Sequence, residues 1–207
     1  MQIVRESDMA TLFDVMSLPA QASKDNEWFT PAPYVDAARR VMGSIDLDPA
    51  SCELANRTVK AARYYTKEDD GLGKEWKGNV WLNPPYGRIR PELLGSTYGF
   101  QEVFTQKLLH EYVEGRTSQA ILLCGGNSSC VWFQPLYDYP ICFHRGYIKF
   151  DRPDGTTQHF GYPLAIVYLG PHEHKFIQEF QKFGRIARAI DTPVPQHTTR
   201  SLWEVEA

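Results

Sequence analysis

The chain alternates between short apolar runs and longer amphipathic segments. The apolar runs lack a helical period, so we expect each of them to be a buried strand. They lie at residues 80–82, 120–124 and 161–169, and residues 44–51 are expected to form a further strand that ends in an acidic turn. The run at 120–124 is bounded by Gln119 and by two glycines, as is typical of a strand buried on both faces of a parallel sheet.

Three other segments carry apolar residues at every third or fourth position, which predicts helices packed on the sheet. They lie at residues 34–42, 100–112 and 176–190. The first is preceded by Thr30 and Pro31, which are candidates for the N-cap and the first turn, and it stops at Gly43. The alternation predicts a single-domain α/β fold with a mostly parallel sheet and flanking helices.

Length and composition fit one globular domain. The chain has 207 residues, of which 43% are hydrophobic and 23% are charged, and this is enough for one sizeable core. We expect an N-terminal extension at residues 1–24, the folded domain at 25–190 and a C-terminal tail at 191–207. No apolar run approaches the roughly 20 residues that span a bilayer, and the N-terminus lacks a signal pattern, so we expect a cytoplasmic protein.

The spacing of cysteine and histidine argues against a metal site. The four cysteines form no Cys-x-x-Cys pair and lie in or near apolar stretches, so we expect free thiols. His172 and His174 form a His-x-His pair without a third ligand at a telling spacing, and a solvated turn accounts for them. We therefore predict that the protein holds no metal.

The overall charge is mildly acidic. A net charge of -3 and a pI near 6.1 do not favour a nucleic-acid partner, although an enzyme that must release its product can restrict its basic residues to one face. Candidates for such a face are Arg88, Arg90, Arg145, Lys149 and Arg152. Basic residues scattered over the surface are an equally good interpretation of the sequence.

The most informative stretch is residues 80–87, which read Val-Trp-Leu-Asn-Pro-Pro-Tyr-Gly. A buried strand is expected to end there in a rigid turn that holds an amide, Asn83, and a ring, Tyr86. The amide oxygen of Asn83 and the carbonyl of Pro84 can each accept one hydrogen of an amino group, while Tyr86 stacks on the plane of a conjugated amine. An ordinary turn is the alternative, but an Asn directly before the prolines favours the amine site.

Asn83-Pro84-Pro85-Tyr86 resembles the catalytic tetrapeptide of the amino-directed methyltransferases that use S-adenosylmethionine and act on adenine N6, cytosine N4 or glutamine N5. Over roughly residues 25–170 the chain is also similar to the phage-type, Dam-like DNA N-6-adenine methyltransferases. The other motifs that carry this likeness are Trp28-Phe29-Thr30-Pro31, Asp46-Leu47-Asp48-Pro49-Ala50-Ser51, Glu68-Asp69-Asp70-Gly71-Leu72 with Trp76, Val131-Trp132-Phe133 and Gly146-Tyr147-Ile148-Lys149-Phe150.

The resemblance implies a Rossmann-like methyltransferase fold, S-adenosylmethionine as cofactor, adenine N6 in DNA as acceptor, and a phage or prophage gene expressed in a bacterial host. It also implies that Asn83, Pro84, Pro85 and Tyr86 are catalytic. The cofactor-binding candidates are Trp28, Phe29, Thr30, Pro31, Asp46, Asp48, Pro49, Ala50, Asp69 and Asp70. The substrate-binding candidates are Phe150, as a second wall around an extruded base, together with Arg88, Trp132 and Lys149.

Two alternatives stay open at the level of the sequence. The same turn suits another amino acceptor, namely cytosine N4, RNA or a glutamine side chain. A non-catalytic nucleic-acid-binding relative is the other alternative, because the pI is acidic and because Ser51-Cys52-Glu53-Leu54 stands where the broader methyltransferases have Gly-x-Gly after the acidic turn.

Overall fold

The computed structural model describes residues 27–87 and 99–189. Within these residues the core of the protein is a seven-stranded sheet in the order β2-β1-β3-β4-β8-β5-β9, beside which lies a two-stranded hairpin, β6-β7. The strands are β1 (Leu47–Asp48), β2 (Arg63–Tyr64), β3 (Gly78–Leu82), β4 (Thr117–Gly125), β5 (Ile141–His144), β6 (Lys149–Asp151), β7 (Thr157–His159), β8 (Leu164–Leu169) and β9 (Gly184–Ala187).

The sheet is mostly parallel in strand direction, and this confirms the predicted fold class. Strands β2, β1, β3 and β4 are mutually parallel. Strand β8 is antiparallel to both β4 and β5, so β5 points the same way as the parallel four. Only β8 and β9 run in the opposite direction.

Helices cover both faces of this sheet. They are α1 (Ala32–Met42), α2 (Glu53–Val59), α3 (Phe100–Val113) and α4 (Glu173–Phe180). Side chains of α3 share one core cluster with Val80 and Leu82, whereas side chains of α1 and α4 share the other cluster with Trp81. Because neighbouring residues of a strand face opposite ways, β3 contributes to both cores, and the result is a three-layer α/β/α domain.

Several predicted boundaries differ from the structure. The cap position of α1 falls on Pro31 instead of Thr30, and no side chain caps this helix. The prediction of a helix over residues 176–190 is wrong in its second half, because α4 ends at Phe180 and the chain continues into β9. Gly184 makes that change possible, since a Cβ at this residue would lie 2.0 Å from the carbonyl oxygen of Phe143.

The topology directs attention to one edge of the sheet. After β1 the chain forms β2 on one side of it and then β3 on the other side. Open α/β sheets bind ligands at such a switch point, outside the carboxyl ends of the strands. Asp48 ends β1 and Asn83 directly follows β3, so both residues lie at this edge.

Several predictions fall outside the described residues. These are the N-terminal extension, the C-terminal tail, Arg88 and Arg90. Among residues 27–87 and 99–189, no helix combines the length and apolarity needed to cross a bilayer.

Candidate active site

The turn after β3 holds the Asn83 amide in a defined orientation. Its Nδ2 donates a hydrogen bond to the carbonyl oxygen of Trp28 at 2.8 Å. Its Oδ1 accepts a longer hydrogen bond, of 3.3 Å, from the hydroxyl of Tyr86. An amide oxygen has two lone pairs, so Oδ1 retains acceptor capacity for a second donor.

The hydroxyl group of Tyr86 stays protonated. Burial raises the pKa of Tyr86 well above its ordinary value, so its hydroxyl keeps a proton to donate at any physiological pH. Its ring centroid lies 4.2 Å from that of Phe160, at an angle of 47° between the planes. Tyr86 is therefore fixed at both ends, by the Asn83 amide and by an aromatic neighbour.

The aromatic neighbours of Tyr86 come from the β6-β7 hairpin and from the segment before α1. Phe160 directly follows β7, and it contacts Trp28 with ring centroids 5.0 Å apart. Phe150 lies on β6 behind these two rings and is fully buried. In this conformation Phe160 packs on Tyr86, and Phe150, the predicted second wall around an extruded base, lies behind it.

The prolines of the turn divide the sheet at its carboxyl edge. Leu82 pairs with Leu122, and this is the last residue pair between β3 and β4. Pro84 and Pro85 have no N–H group with which to extend the ladder. Strand β4 continues alone on this side as far as Gly125, so a gap opens between the two strand ends.

A cleft of about 750 Å³ lies in this gap. Aromatic side chains, amide side chains and glycines make up most of its lining. Its lining consists of Tyr86, Gly87, Gly99, Gln101, Glu102, Gly125, Asn127, Cys130, Trp132, Phe160 and Tyr162. The predicted substrate residue Trp132 is therefore part of the cleft wall.

Asp48 is a buried carboxyl group at the end of β1. Its side chain is 3% exposed, and it forms no ion pair within the described residues. Burial raises its pKa to about 7, although the hydrogen bond that the backbone N–H of Ala50 donates to its carboxylate opposes this shift. A buried acid with no cation beside it is suited to a ligand that brings a positive charge or hydroxyl donors.

The acidic loop at residues 66–71 lies against the turn after Asp48. Ser51 donates its backbone N–H to the carbonyl of Tyr65, and a Cβ on Gly71 would lie 2.2 Å from the carbonyl oxygen of Pro49. Asp69 accepts hydrogen bonds from the N–H and the hydroxyl of Thr66, which lower its pKa. The structure therefore brings the candidates Pro49, Ala50, Asp69 and Asp70 into one neighbourhood.

Asp46 lies towards the amino ends of the strands, away from the edge that holds Asp48 and Asn83. Its carboxylate accepts hydrogen bonds from the hydroxyl of Ser44 and from the backbone N–H of Asn79. Asn79 is four residues before Asn83, which corresponds to about 13 Å along a strand. This position separates Asp46 from the other cofactor-binding candidates, and its contacts give it a part in holding the start of β3.

The remaining predicted residues lie around the hairpin. Phe29 forms a pair of backbone hydrogen bonds with Asp151 of β6, and so connects the Trp28 segment to the hairpin. Lys149 is exposed on the hairpin, and Arg145 precedes it on the surface. The guanidinium of Arg152 packs 4.4 Å from the centroid of the Trp28 ring instead of facing outward.

Gln101, Phe160 and Tyr162 are among the cleft residues that the sequence did not predict. Gln101 lies in the first turn of α3 and accepts a hydrogen bond from the backbone N–H of Gly125 at 2.8 Å. A polar residue at the start of a helix that follows a parallel strand is the signal that could have identified it, because such helices begin at the ligand-binding edge. Phe160 and Tyr162 carry no such local signal.

Metal-ligating side chains do not converge in the described part of the chain. No three His, Cys, Asp or Glu side chains there are close enough together to hold an ion. All four cysteines are free thiols, and Cys124 and Cys142 are buried.

Comparisons with known proteins identify the family of this chain. The chain is 28% identical over 108 residues to the DNA N-6-adenine-methyltransferase of Escherichia phage T1, and the match covers 51% of this chain and 38% of the phage protein. The family of DNA N-6-adenine-methyltransferases (Dam) matches residues 18–159, which is more than half of the chain. This protein therefore belongs to the DNA N-6-adenine-methyltransferase (Dam) family.

Proposed function

We propose that this protein transfers a methyl group from S-adenosylmethionine to the N6 amino group of adenine in DNA. The observation that carries the proposal is the fixed amide of Asn83. Because Nδ2 is held by the Trp28 carbonyl, Oδ1 is the end of the amide that is presented beside the Tyr86 ring. Membership of the Dam family supports adenine as the acceptor.

The residues at the switch point fit the cofactor. Asp48 offers a buried carboxyl group without a cation, and the indole N–H of Trp28 is buried without a hydrogen-bond acceptor among the described residues. We assign the cofactor to Asp48, Pro49 and Ala50 on one side and to the Trp28–Pro31 segment on the other, with Asp69 and Asp70 at the rim. When bound, S-adenosylmethionine supplies an activated methyl group on a sulfonium sulfur, and the acceptor nitrogen loses one proton after the transfer.

Asn83 and Pro84 act on the acceptor amine. The lone pair of an amino group on an aromatic ring is delocalised into the ring, which makes the nitrogen a weak nucleophile. Asn83 Oδ1 and the carbonyl oxygen of Pro84 each accept one amino hydrogen, which concentrates electron density on the nitrogen and fixes its direction. Tyr86 stacks on the base and holds its plane.

The base reaches this site by leaving the duplex, because N6 is occupied by pairing inside it. The cleft beside Tyr86 has a volume of about 750 Å³, within the range of about 300–1,000 Å³ that is common for ligand pockets. We assign the extruded base to this cleft, with Tyr86 and Phe160 on one side of it and Trp132 on the other. Lys149 on the exposed hairpin and Arg145 just before it are our candidates for phosphate contacts, and Arg88 stays a candidate from the sequence.

The test is product analysis after methyl transfer. Purified protein is incubated with methyl-labelled S-adenosylmethionine and DNA, and the digested nucleosides are identified by mass spectrometry. We expect label in N6-methyladenine. Label in N4-methylcytosine, or label that appears only with RNA or protein acceptors, assigns the site to another amine. Absence of label from every acceptor, in protein that binds the cofactor, contradicts the proposal and favours a non-catalytic relative.

A further inference from the structure

Gln101 is held in the cleft by a hydrogen bond to the end of β4, where β3 no longer pairs with it. Strand β4 extends beyond its last pair with β3, so on that side the N–H of Gly125 has no neighbouring strand. The side-chain Oε1 of Gln101 accepts this N–H at 2.8 Å and so takes the place of the missing strand. The first turn of α3 is thereby fixed to the end of β4.

The approach of Gln101 to Gly125 is close and leaves little room for a side chain at this glycine. A Cβ at Gly125 would lie 3.0 Å from Gln101 Oε1 and 3.3 Å from Asn127 Nδ2. Two amide side chains therefore converge on this glycine at the cleft. Gln101 and Gly125 belong to a helix and a strand of the core, so the contact lies on rigid elements.

The contact also determines which end of the Gln101 amide is available. Because Oε1 is occupied by the Gly125 N–H, the Nε2 group is the other end, and it makes no hydrogen bond within the described residues. Nε2 carries two hydrogens and accepts none. Gln101 therefore offers the cleft a donor and only a donor.

We propose that Gln101 is a specificity-determining residue that donates from Nε2 to N1 of the extruded adenine. This inference rests on the proposed function, because it assumes that the cleft holds the target base. N1 is a ring acceptor adjacent to the carbon that carries the amino group. It loses its thymine partner when the base leaves the duplex, and a buried acceptor without a partner is unfavourable. Guanine carries a hydrogen at N1, so the same donor disfavours it.

The test combines substitutions of Gln101 in the protein with replacement of single ring nitrogens in the target base. Gln101→Glu keeps an oxygen for the Gly125 N–H and removes the donor, and Gln101→Met removes both ends at similar length. Each is compared with the wild type on single-stranded DNA oligonucleotides that contain adenine, 1-deazaadenine, 3-deazaadenine or 7-deazaadenine. Gln181→Glu, on the surface beyond α4, is the matched control for the added charge.

For the wild type we expect kcat/KM to fall about 10- to 100-fold when N1 is replaced, because Nε2 is left without an acceptor. In both Gln101 variants activity on adenine falls, and replacing N1 causes little further loss. Intrinsic changes in the reactivity of the deaza amine affect wild type and variants alike, so they cancel in this comparison. The assignment is overturned if the variants discriminate between adenine and 1-deazaadenine as strongly as the wild type does. It is also overturned if the Gln101 variants lose discrimination against 3-deazaadenine or 7-deazaadenine instead.

Equilibrium binding separates this inference from the proposed function. Fluorescence anisotropy measures the affinity of the same oligonucleotides for wild type and Gln101→Glu without a methyl donor. We expect the same loss of discrimination at N1 in the variant. If no N6-methyladenine forms, the proposed function fails, yet the binding comparison still decides whether Gln101 reads N1. Equal discrimination by both proteins in this assay contradicts the inference.

Discussion

The two ends of the central sheet differ in how fully their polar groups are paired. At the amino end, the Gln119 side chain donates to the Met42 carbonyl and the Asn79 amide oxygen and accepts from the Tyr168 hydroxyl. Asp46 accepts hydrogen bonds there on both of its oxygens. Polar groups at this end hold the strands together and have little capacity left for a ligand.

At the carboxyl end, polar groups are placed but left partly unpaired. Asp48 is buried without a cation, and the indole N–H of Trp28 is buried without an acceptor within the described residues. Asn83 and Gln101 each have one end of the amide held firmly by the backbone. Such groups are costly to the folded protein unless a ligand provides their hydrogen-bond partners, and their concentration at one edge supports our assignment of the functional site to that edge.

The largest expected effect is on kcat, and it distinguishes Asn83 from Asn79, which lies in strand β3. Asn83→Ala removes the acceptor at the carboxyl end, and we expect kcat for methyl transfer to fall at least about 10²- to 10³-fold while the protein stays folded. Asn79→Ala removes side-chain hydrogen bonds to Met42, Ser44 and Gln119. We expect it to lower the free energy of unfolding by about 2–3 kcal/mol and to leave kcat nearly unchanged.

Steady-state kinetics and urea unfolding of both variants check this prediction. Wild-type kcat in Asn83→Ala, or the loss of catalysis without loss of stability in Asn79→Ala, would show that the two ends are not divided as described.

The second prediction contrasts Asp48 with Asp46. The pKa of Asp48 in the folded protein, about 7, lies above its ordinary value of 3.8, so the folded state holds this proton more tightly than the unfolded chain. The contribution of Asp48 to stability therefore falls as pH rises from about 4 to about 7, and then levels off. At pH 8 we expect the free energy of unfolding of Asp48→Asn, measured by urea unfolding, to exceed that of the wild type by up to about 4 kcal/mol, and near pH 4 we expect the two to match.

Asp46→Asn is the paired control for this measurement. It weakens the hydrogen bond from the Asn79 backbone, so we expect a loss of about 1–3 kcal/mol in the free energy of unfolding at pH 8. An Asp48→Asn variant that is less stable than wild type at pH 8 contradicts the description of Asp48 as an uncompensated buried acid.

A third prediction concerns the pH dependence of cofactor affinity. In the proposed assignment a positively charged group of S-adenosylmethionine lies beside Asp48 and favours the carboxylate, so we expect binding to release the proton that Asp48 holds below pH 7. We expect affinity measured by calorimetry to rise up to about tenfold per pH unit between pH 5.5 and pH 7, and to flatten above that. The pH slope should disappear in Asp48→Asn and persist in Asp46→Asn, and a slope unchanged in Asp48→Asn would place the cofactor elsewhere.

The smallest expected effect concerns the hairpin. Lys149→Ala removes one exposed charge near the cleft, and we expect DNA affinity to fall a few-fold and the slope of log K against log salt to decrease by about 1. Lys175→Ala removes an exposed charge from α4, which follows β8 at the amino end of the sheet, and should change neither quantity. Equal effects in the two variants would indicate non-specific attraction by the whole surface.

The sequence predicts the parts of this site that depend on neighbouring residues. The strand that ends at Leu82, the proline turn and the helix from Phe100 are local patterns, and all three are in the structure. The sequence cannot separate Asp46 from Asp48, because residues two apart on a strand share a face. Only the register of Leu47 with Val80 shows that one of them lies towards each end of the sheet.

The parts that escape prediction depend on contacts between distant segments. Phe160 packs on Tyr86 because the β6-β7 hairpin folds back over the turn, and no local pattern in either segment specifies that contact. Gln101 has its role because the proline turn leaves the N–H of Gly125 unpaired by β3. In helix α4, apolar residues at helical spacing continue past its end, and the pairing of β9 with β5 overrides them.

Hydrogen exchange with and without S-adenosylmethionine tests most directly whether the cofactor binds at the carboxyl end of the sheet and not at the amino end. We predict that saturating cofactor slows amide exchange in residues 28–31, 48–51 and 66–71 at the carboxyl end and leaves residues 76–79 and 116–119 at the amino end unchanged. Slowed exchange confined to the amino-end segments, or no change in any of these segments at saturation, would contradict the assignment of the cofactor to the carboxyl edge.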